Sequence, residues 1–268
     1  MTKVNPYFSI ITVCYNSEKT IERTISSLRN QTFRNFEYII IDGGSTDSTL
    51  EIIKKNQDVV SVLVSEKDEG IYAAMNKGIN LASGEMVGII NSDDWYEIDA
   101  LENMYKISSI QSNIVIHGLC RYFNNNEINQ IIGYHHSNLP LYSISHPTCF
   151  VSRSLYVEKG KFDTKYKIAA DYDLLLRFYL DRVKFIFVES IIANFQNGGA
   201  SSSRFSKYEF LKVKFRNNQI SKFEFICLNI FFSFKFFLIY ILETGKKIAF
   251  DFSKSQPFSS KLQSKNIT

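Results

Sequence analysis

The sequence predicts an α/β fold built on a parallel sheet with a mixed second half. Three observations carry this. Strand-like and helix-like patterns alternate regularly through the first ninety residues. The strand-like segments are continuous apolar runs rather than alternating ones. Such runs belong to strands covered on both faces, as parallel sheets are. Finally, each run ends in polar or small residues, the expected place for ligand-binding loops in an open α/β sheet.

"FSIITVCYN" is the first strand, and "SEKTIERTISSLRNQ" the helix after it, with Ile21, Ile25 and Leu28 at helical spacing and Ser17 as an N-cap candidate. "FEYIIIDGG", "VVSVLVSE" and "EMVGIIN" are the next strands, and "STDSTLEIIKKN" and "GIYAAMNKGINLAS" the intervening helices. Right-handed crossovers bring the C-terminal ends of these strands to one edge. Four peculiar loops then converge on one crevice: "CYNS", "DGGSTD", "SEKDEG" and "NSDDWY".

Beyond residue 98 the order is irregular. "ALENMYKISSI" reads as a helix, "NIVIHGLCRYF" and "INQIIGYHH" as strands around the turn-prone "NNN", and "HPTCFVSRSLY" as a short strand. "DYDLLLRFYLD" reads as a helix and "VKFIFVES" as a strand. This half supplies the second wall of the crevice. After "NGGASSS" comes a basic, aromatic segment. Residues 225–242 are nearly all apolar but contain Lys235, with Lys212, Lys214, Arg216 and Lys222 before them and Lys246 and Lys247 after. That pattern predicts a helix lying in a membrane interface, ahead of a bilayer span or a helix packed on the domain. The Ser- and Lys-rich tail, 251–268, is expected to be disordered.

The bulk numbers exclude some classes. The chain has 268 residues, enough for one large domain or a domain with an appendage. A net charge of +4 and a pI of 8.7 are too mild to argue for nucleic acid. Cys14, Cys120, Cys149 and Cys227 are scattered without CxxC, so a zinc site or disulfide framework is not expected and reduced thiols in a cytosolic setting are. No secretory leader is legible at the N-terminus.

Several residues invite a chemical reading. Asp93 and Asp94 end a buried strand, where two like charges need compensation. One alone would cap a helix; the pair also suits Mg²⁺ or Mn²⁺, which take one or two carboxylates together with substrate phosphates. Asp42, after the second strand, can cap the next turn or accept from a ribose hydroxyl or base N–H. "GGS" matches neither GxGxxG nor a P-loop. Asp68 lies in an ordinary strand-to-helix turn beside a helix carrying Asn76 and Lys77. Trp95, the only tryptophan, can stack on a ligand ring or pack, and His146 is a lone histidine, a type that is more often structural.

"SIITVCYN", "EYIIIDGGSTDST", "DEGIYAAMNKGI", "GIINSDDWY" and "ADYDLLLRF" occur in this order over residues 8–200. Together they resemble family 2 glycosyltransferases, the inverting type with the GT-A fold. "GIYAAMNKGI" and "NGGASSS" are similar to the bacterial O-antigen, capsule and exopolysaccharide members. The resemblance implies a Rossmann-like nucleotide-binding half over 1–97 and an acceptor half over 98–204. A membrane-association region of apolar and amphipathic helices follows over 205–250. It implies that Thr12 and Tyr15 line the base pocket and that Asp42 binds uracil or ribose. Asp68 sits beside the nucleotide-sugar, Asp93 contacts ribose or sugar, and Asp94 holds Mn²⁺ or Mg²⁺. Asp171 falls where the family has its general base, although Ala170 replaces the usual preceding Glu; Asp173 is the alternative. A late histidine that some members use as a metal ligand has no counterpart after residue 171; on this resemblance His146 is structural or faces the acceptor, and Trp95 stacks on a sugar or, as favoured, packs near the acceptor side. The implied reaction moves a hexose, glucose or galactose, from a UDP-sugar. The acceptor is a lipid-linked saccharide such as GlcNAc-diphospho-undecaprenol, at the cytoplasmic face of a bacterial inner membrane. A nucleotidyltransferase or a non-catalytic sugar-nucleotide binder is the competing reading.

Overall fold

β1 (Phe8–Cys14) has all seven residues buried, and its neighbours explain why. It is flanked by β2 (Phe36–Asp42) and β4 (Met86–Ile89), both parallel to it, and β3 (Val62–Ser65) pairs parallel with β2 at the edge. A computed structural model describes residues 5–124, 127–198 and 204–234 of the chain. The sheet order is β3-β2-β1-β4, then β8 (Phe150–Ser152), β6 (Ile114–Asn124), β9 (Lys184–Gln196) and β5 (Trp95–Tyr96), with β7 (Glu127–Ile132) paired to β6.

Side chains alternate across this sheet with the period of two that a strand imposes. Ile11, Val13, Ile39 and Ile41 enter one core, with α3 (Ile71–Leu81) and α6 (Ala170–Leu180) over it. Phe8, Ile10, Cys14, Tyr38 and Ile40 enter the other, under α1 (Ile21–Arg29), α2 (Thr49–Lys55) and α4 (Ala100–Ser108). α3 lies close on β1 because residue 78 is glycine: an added Cβ would come within 2.5 Å of Ile11 Cγ2. Overpacking of that kind costs about 1–3 kcal/mol.

The second half is mixed. β8 (Phe150–Ser152) runs antiparallel between β4 and β6 (Ile114–Asn124). β9 spans Lys184–Gln196 and pairs parallel with β6. β7 (Glu127–Ile132) is shorter than the expected strand and is followed by a 3₁₀ turn at His136–Asn138. α5 is Arg153–Glu158. β5 (Trp95–Tyr96) was not expected. Only two residues long, it pairs antiparallel with Asn194 and Ala193 of β9, and so ties the end of "NSDDWY" to the far side of the sheet. Ser17 does not cap α1, which begins at Ile21 without a side-chain cap; its hydroxyl meets Ser92 Oγ instead.

The chain divides into two units, Met1–Gln219 and Ile220–Thr268. α7 (Arg204–Arg216) belongs to the first, so the boundary expected at 204 moves past this helix. Leu211 and Val213 are buried, and Phe210 stacks on Tyr172 with ring centres 4.8 Å apart. The described part of the second unit contains a helix over 222–234. Ser221 and Glu224 form a reciprocal capping box at its start. Phe223, Ile226, Ile230, Phe231 and Phe234 are exposed on it. No helix among the described residues is long and apolar enough to cross a membrane. The remainder of the apolar stretch and the tail after 250 lie outside the described residues.

Candidate active site

Cys14, Asp42 and Ser65 stand in register at the C-terminal ends of β1, β2 and β3. Past this line the loops are bound to each other. Asn16, in the left-handed region at φ 49°, donates its N–H to Ser45 Oγ (2.8 Å), and its Oδ1 accepts from Thr46 N (2.9 Å). Ser17 N donates to Thr49 Oγ1 (2.7 Å), and Ser48 N to a Glu18 carboxylate oxygen (3.0 Å). Gly44, at φ +83°, makes the left-handed turn that lets its own N–H and that of Ser45 reach Asp42. The result is a rigid floor for a cleft of about 1690 Å³.

Tyr15 is 62 % exposed on the wall of that cleft, so an aromatic face is available for stacking. Asp68 faces it from the third loop. Lys77 Nζ holds one Asp68 oxygen at 2.7 Å and also pairs with Glu66 at 2.6 Å. The other oxygen, Oδ2, is buried without a partner among the described residues, although the side chain is only 9 % exposed. An unsatisfied buried carboxylate oxygen is costly, and its position on the cleft wall offers it to a ligand hydroxyl or N–H.

Three sequence expectations change here. Thr12 does not line the cleft. It is fully buried, and its hydroxyl takes a 3.0 Å hydrogen bond from Tyr38. The pleat turns Thr12 toward the core beneath α1 and α2, and Val13, its neighbour, reaches the cleft. Asp42 is likewise fully buried and is not on the cleft wall, whereas Gly43 and Gly44 are. Its carboxylate accepts from Gly44 N, Ser45 N, Ser45 Oγ and Ser65 Oγ, with the Cys14 thiol at 3.7 Å. A nucleoside reaching Asp42 has to displace one of the serine hydroxyls.

The third change concerns the aspartate pair. Asp93 lines the cleft, whereas Asp94 is fully buried. Asp94 Oδ1 accepts from Gln196 N (3.1 Å) at the end of β9, and Oδ2 has no hydrogen-bond partner among the described residues. The pairing of β5 with β9 turns Asp94 inward. Burial pushes the Asp93 carboxyl up, with Arg23 opposing, and pushes Asp94 well up, with Asp93 adding to the rise. The Arg23 guanidinium opposes both rises. Arg23 donates to the Asp93 carbonyl (2.8 Å), and its guanidinium stacks 3.6 Å over Trp95. Trp95 also packs on Phe123 and is not part of the cleft wall.

Asp171 lies in the first turn of α6 and lines the same cleft. Tyr72 Oη is 3.1 Å from Asp171 Oδ1 and 2.5 Å from the Ile168 carbonyl. Asp173 points away, accepting from Arg177 Nε (2.8 Å) and Asn217 Nδ2 (3.3 Å). His146 lines the cleft too; burial lowers its pKa and the Asp171 charge raises it. Sequence reasoning assigned no role to Tyr72, Lys77, Arg23 or Asn91. Tyr72 and Lys77 lie within "GIYAAMNKGI", which was a signal for them; Arg23 had none.

Among the described residues no three His, Cys, Asp or Glu side chains form a ready metal cage. A Mg²⁺ or Mn²⁺ completed by substrate phosphates needs no such cage. The fit rests on the adjacent Asp93 and Asp94 carboxylates and on Asn91, a cleft residue whose buried Oδ1 has no partner among the described residues.

Comparisons with known proteins agree with this architecture. In sequence, the chain is 36 % identical over 119 residues to the glycosyltransferase EpsH of Bacillus subtilis, covering 44 % of this chain and 34 % of that protein's length. It is 26 % identical over 220 residues to the PGL/p-HBAD biosynthesis glycosyltransferase of Mycobacterium tuberculosis, covering 77 % of this chain and 83 % of that one. In structure it is similar to Staphylococcus aureus TarS 1-349 in complex with UDP-GlcNAc. There the TM-score is 0.67 at 21 % identity, over 80 % of this chain and 67 % of that one. The mannosyltransferase PcManGT of Pyrobaculum calidifontis, in complex with GDP-Man and Mn²⁺, aligns with a TM-score of 0.61 at 17 % identity, over 82 % and 66 % of the two chains. Residues 9–160, more than half of the sequence, match the model of one family, and with its GT-A-like sheet the chain belongs to glycosyl transferase family 2.

Proposed function

We propose that the protein transfers a hexose with inversion from a UDP-sugar to the hydroxyl of a lipid-linked saccharide in surface-polysaccharide assembly. The observation that carries this reading is that Asp68, Asp93 and Asp171 all line a single cleft. The relatives' names, with TarS binding UDP-GlcNAc, favour a sugar nucleotide over the nucleotidyltransferase alternative.

In this reading Tyr15 stacks on the base, and the free Asp68 oxygen accepts from the nucleotide-sugar. Asp42 acts indirectly by holding the 43–45 turn. Asp93, with Asn91 beside it, would hold Mn²⁺ or Mg²⁺, and Asp94 would support it from behind. Held there, such an ion would supply positive charge against the departing diphosphate. Asp171 takes the proton from the acceptor hydroxyl. The oxygen then attacks the anomeric carbon from the face opposite the diphosphate, and the C–O electron pair leaves with UDP. An α-linked donor gives a β-linked product. His146 faces the acceptor beside Asp171. Trp95 acts only by packing on Arg23 and Phe123.

Glucose or galactose as donor sugar, and GlcNAc-diphospho-undecaprenol as acceptor, remain the working choice. Helix 222–234, with its exposed Phe and Ile side chains, supports peripheral binding to the cytoplasmic face of a bacterial inner membrane.

The test offers a panel of UDP-sugars with a synthetic GlcNAc-diphospholipid and Mn²⁺, with and without EDTA. Transfer of one hexose, lost on chelation, is expected. No transfer from any donor would overturn the transferase reading, and transfer indifferent to EDTA would overturn the metal's part in it.

A further inference from the structure

Glu209 lies on α7, outside the stretch that matches the family. Its carboxylate receives three successive backbone N–H groups. Lys167 N is 2.9 and 3.0 Å from the two oxygens, Ile168 N is 2.7 Å away and Ala169 N 3.1 Å away. Ala169 occupies the N-cap position of α6 and has no side-chain oxygen to offer. The N–H groups entering α6 thus find their acceptor forty residues downstream, and a negative charge sits at the positive end of the helix.

The same short segment is held from its other side. The Ile168 carbonyl accepts from Tyr72 Oη at 2.5 Å, and that phenol also reaches Asp171. Residues 167–171 are therefore gripped between α7 and α3. Lys167, Ile168, Asp171 and Phe210, the neighbour of Glu209, all line the cleft. The grip has a firm base. Arg216 Nη1 lies 3.3 Å from Asp163, and Lys214 Nζ donates to the Leu141 carbonyl at 2.8 Å.

We propose that Glu209 is a positioning residue for the transfer reaction: it latches the Lys167–Ala169 backbone and so sets the direction of Asp171 and of the wall that meets the acceptor. This rests on the transferase reading above. Glu209 is not itself among the residues lining the cleft, so its removal should separate catalysis from donor binding. A carboxylate that served only to stabilise the fold would produce no such separation.

The test compares the full chain with E209A and E209Q, using the donor and acceptor that the panel identifies. Amide hydrogen exchange at 167–169 reads the latch without reference to activity. UDP titration with Mn²⁺ reads the donor site and the fraction of intact protein. In E209A, exchange at these amides should quicken at least tenfold. UDP stoichiometry and affinity should stay within twofold, and kcat should fall at least tenfold. E209Q, which keeps one acceptor oxygen, should lie between. Added formate, small enough to occupy the vacated place, should restore part of the E209A rate.

Unchanged exchange would overturn the latch. Wild-type kcat with quickened exchange would overturn the positioning role. A rate loss matched by an equal loss of UDP-binding sites in both variants would reduce Glu209 to a folding residue. Failure of the transferase reading is distinct, because it shows as absent transfer by the unaltered chain while the exchange measurement still reports the latch.

Discussion

Tyr72 and Asp171, ninety-nine residues apart in sequence, meet at the cleft with the phenol oxygen 3.1 Å from the carboxylate. The phenol has one proton and two acceptors, because the Ile168 carbonyl lies at 2.5 Å. Burial pushes the Tyr72 hydroxyl pKa up, and the Asp171 charge pushes it further. Tyr72 therefore stays protonated and serves as a fixed donor. A hydrogen bond to a charged group contributes about 1.5–3 kcal/mol. Y72F should lower kcat by roughly tenfold to a hundredfold if that contribution is expressed in the transition state. The KM for the donor should hardly move. Steady-state kinetics check this, and an unaltered kcat would show that Tyr72 does not orient Asp171 for the reaction.

Asp171 and Asp173 are two residues apart with opposite surroundings. Asp171 faces the cleft, and Asp173 is 5 % exposed and paired with Arg177. D171N should lower kcat by about 10²- to 10⁴-fold, the usual worth of a general base, with thermal stability intact. D173N should keep most of the turnover and lose roughly 1–3 kcal/mol of stability, because a partly exposed Arg177 is left without its anion. Parallel melting curves and rate measurements on both variants decide the assignment. The reverse pattern would transfer the base to Asp173.

The parts of this arrangement that depend on local pattern were legible before any coordinates. Continuous apolar runs announced the buried strands β1, β2 and β4, and the loops at their ends announced the cleft. Which way a strand-end residue points was harder to read. Thr12 and Val13 differ by one step of the pleat, and Asp93 and Asp94 differ by the turn that β5 makes toward β9. A two-residue strand has no periodicity to detect, and its partner lies about a hundred residues away. Glu209 was invisible for a related reason: its ligands are backbone N–H groups, which every sequence supplies.

The aspartate pair can be separated by binding measurements. Asp93 has the cleft, and Asp94 has the Gln196 backbone and an oxygen without a partner among the described residues. D93N should weaken Mn²⁺-dependent UDP binding at least tenfold. D94N relieves a buried like-charge repulsion and can keep the oxygen that accepts from Gln196. It should leave the metal-free protein at least as stable as the parent, with a smaller loss of UDP affinity. Calorimetric titration with and without Mn²⁺ checks both. Loss of the metal dependence in D94N alone would restore the division expected from the sequence.

His117 offers a test of stability that is independent of catalysis. It lies on β6, 1 % exposed, with its Nε2 3.2 Å from His136 Nδ1 and its ring against Phe187. Burial pushes its pKa down to about 3, and the neighbouring His136 and His135 push the same way. The ordinary value is about 6.5. Between these values the unfolded chain binds a proton that the folded chain refuses, so the stability contribution is intact above pH 6.5 and declines as pH falls. One proton gives a slope of about 1.4 kcal/mol per pH unit, or roughly 2 kcal/mol lost by pH 5. Asp93 and Asp94, whose pKa values are raised by burial, bias stability in the opposite sense as pH falls. Comparison with H117F cancels their effect, because they are common to both proteins. Urea unfolding at pH 7 and pH 5 should show the parent losing about 2 kcal/mol more than H117F. Equal losses in the two proteins would mean that His117 accepts its proton inside the fold.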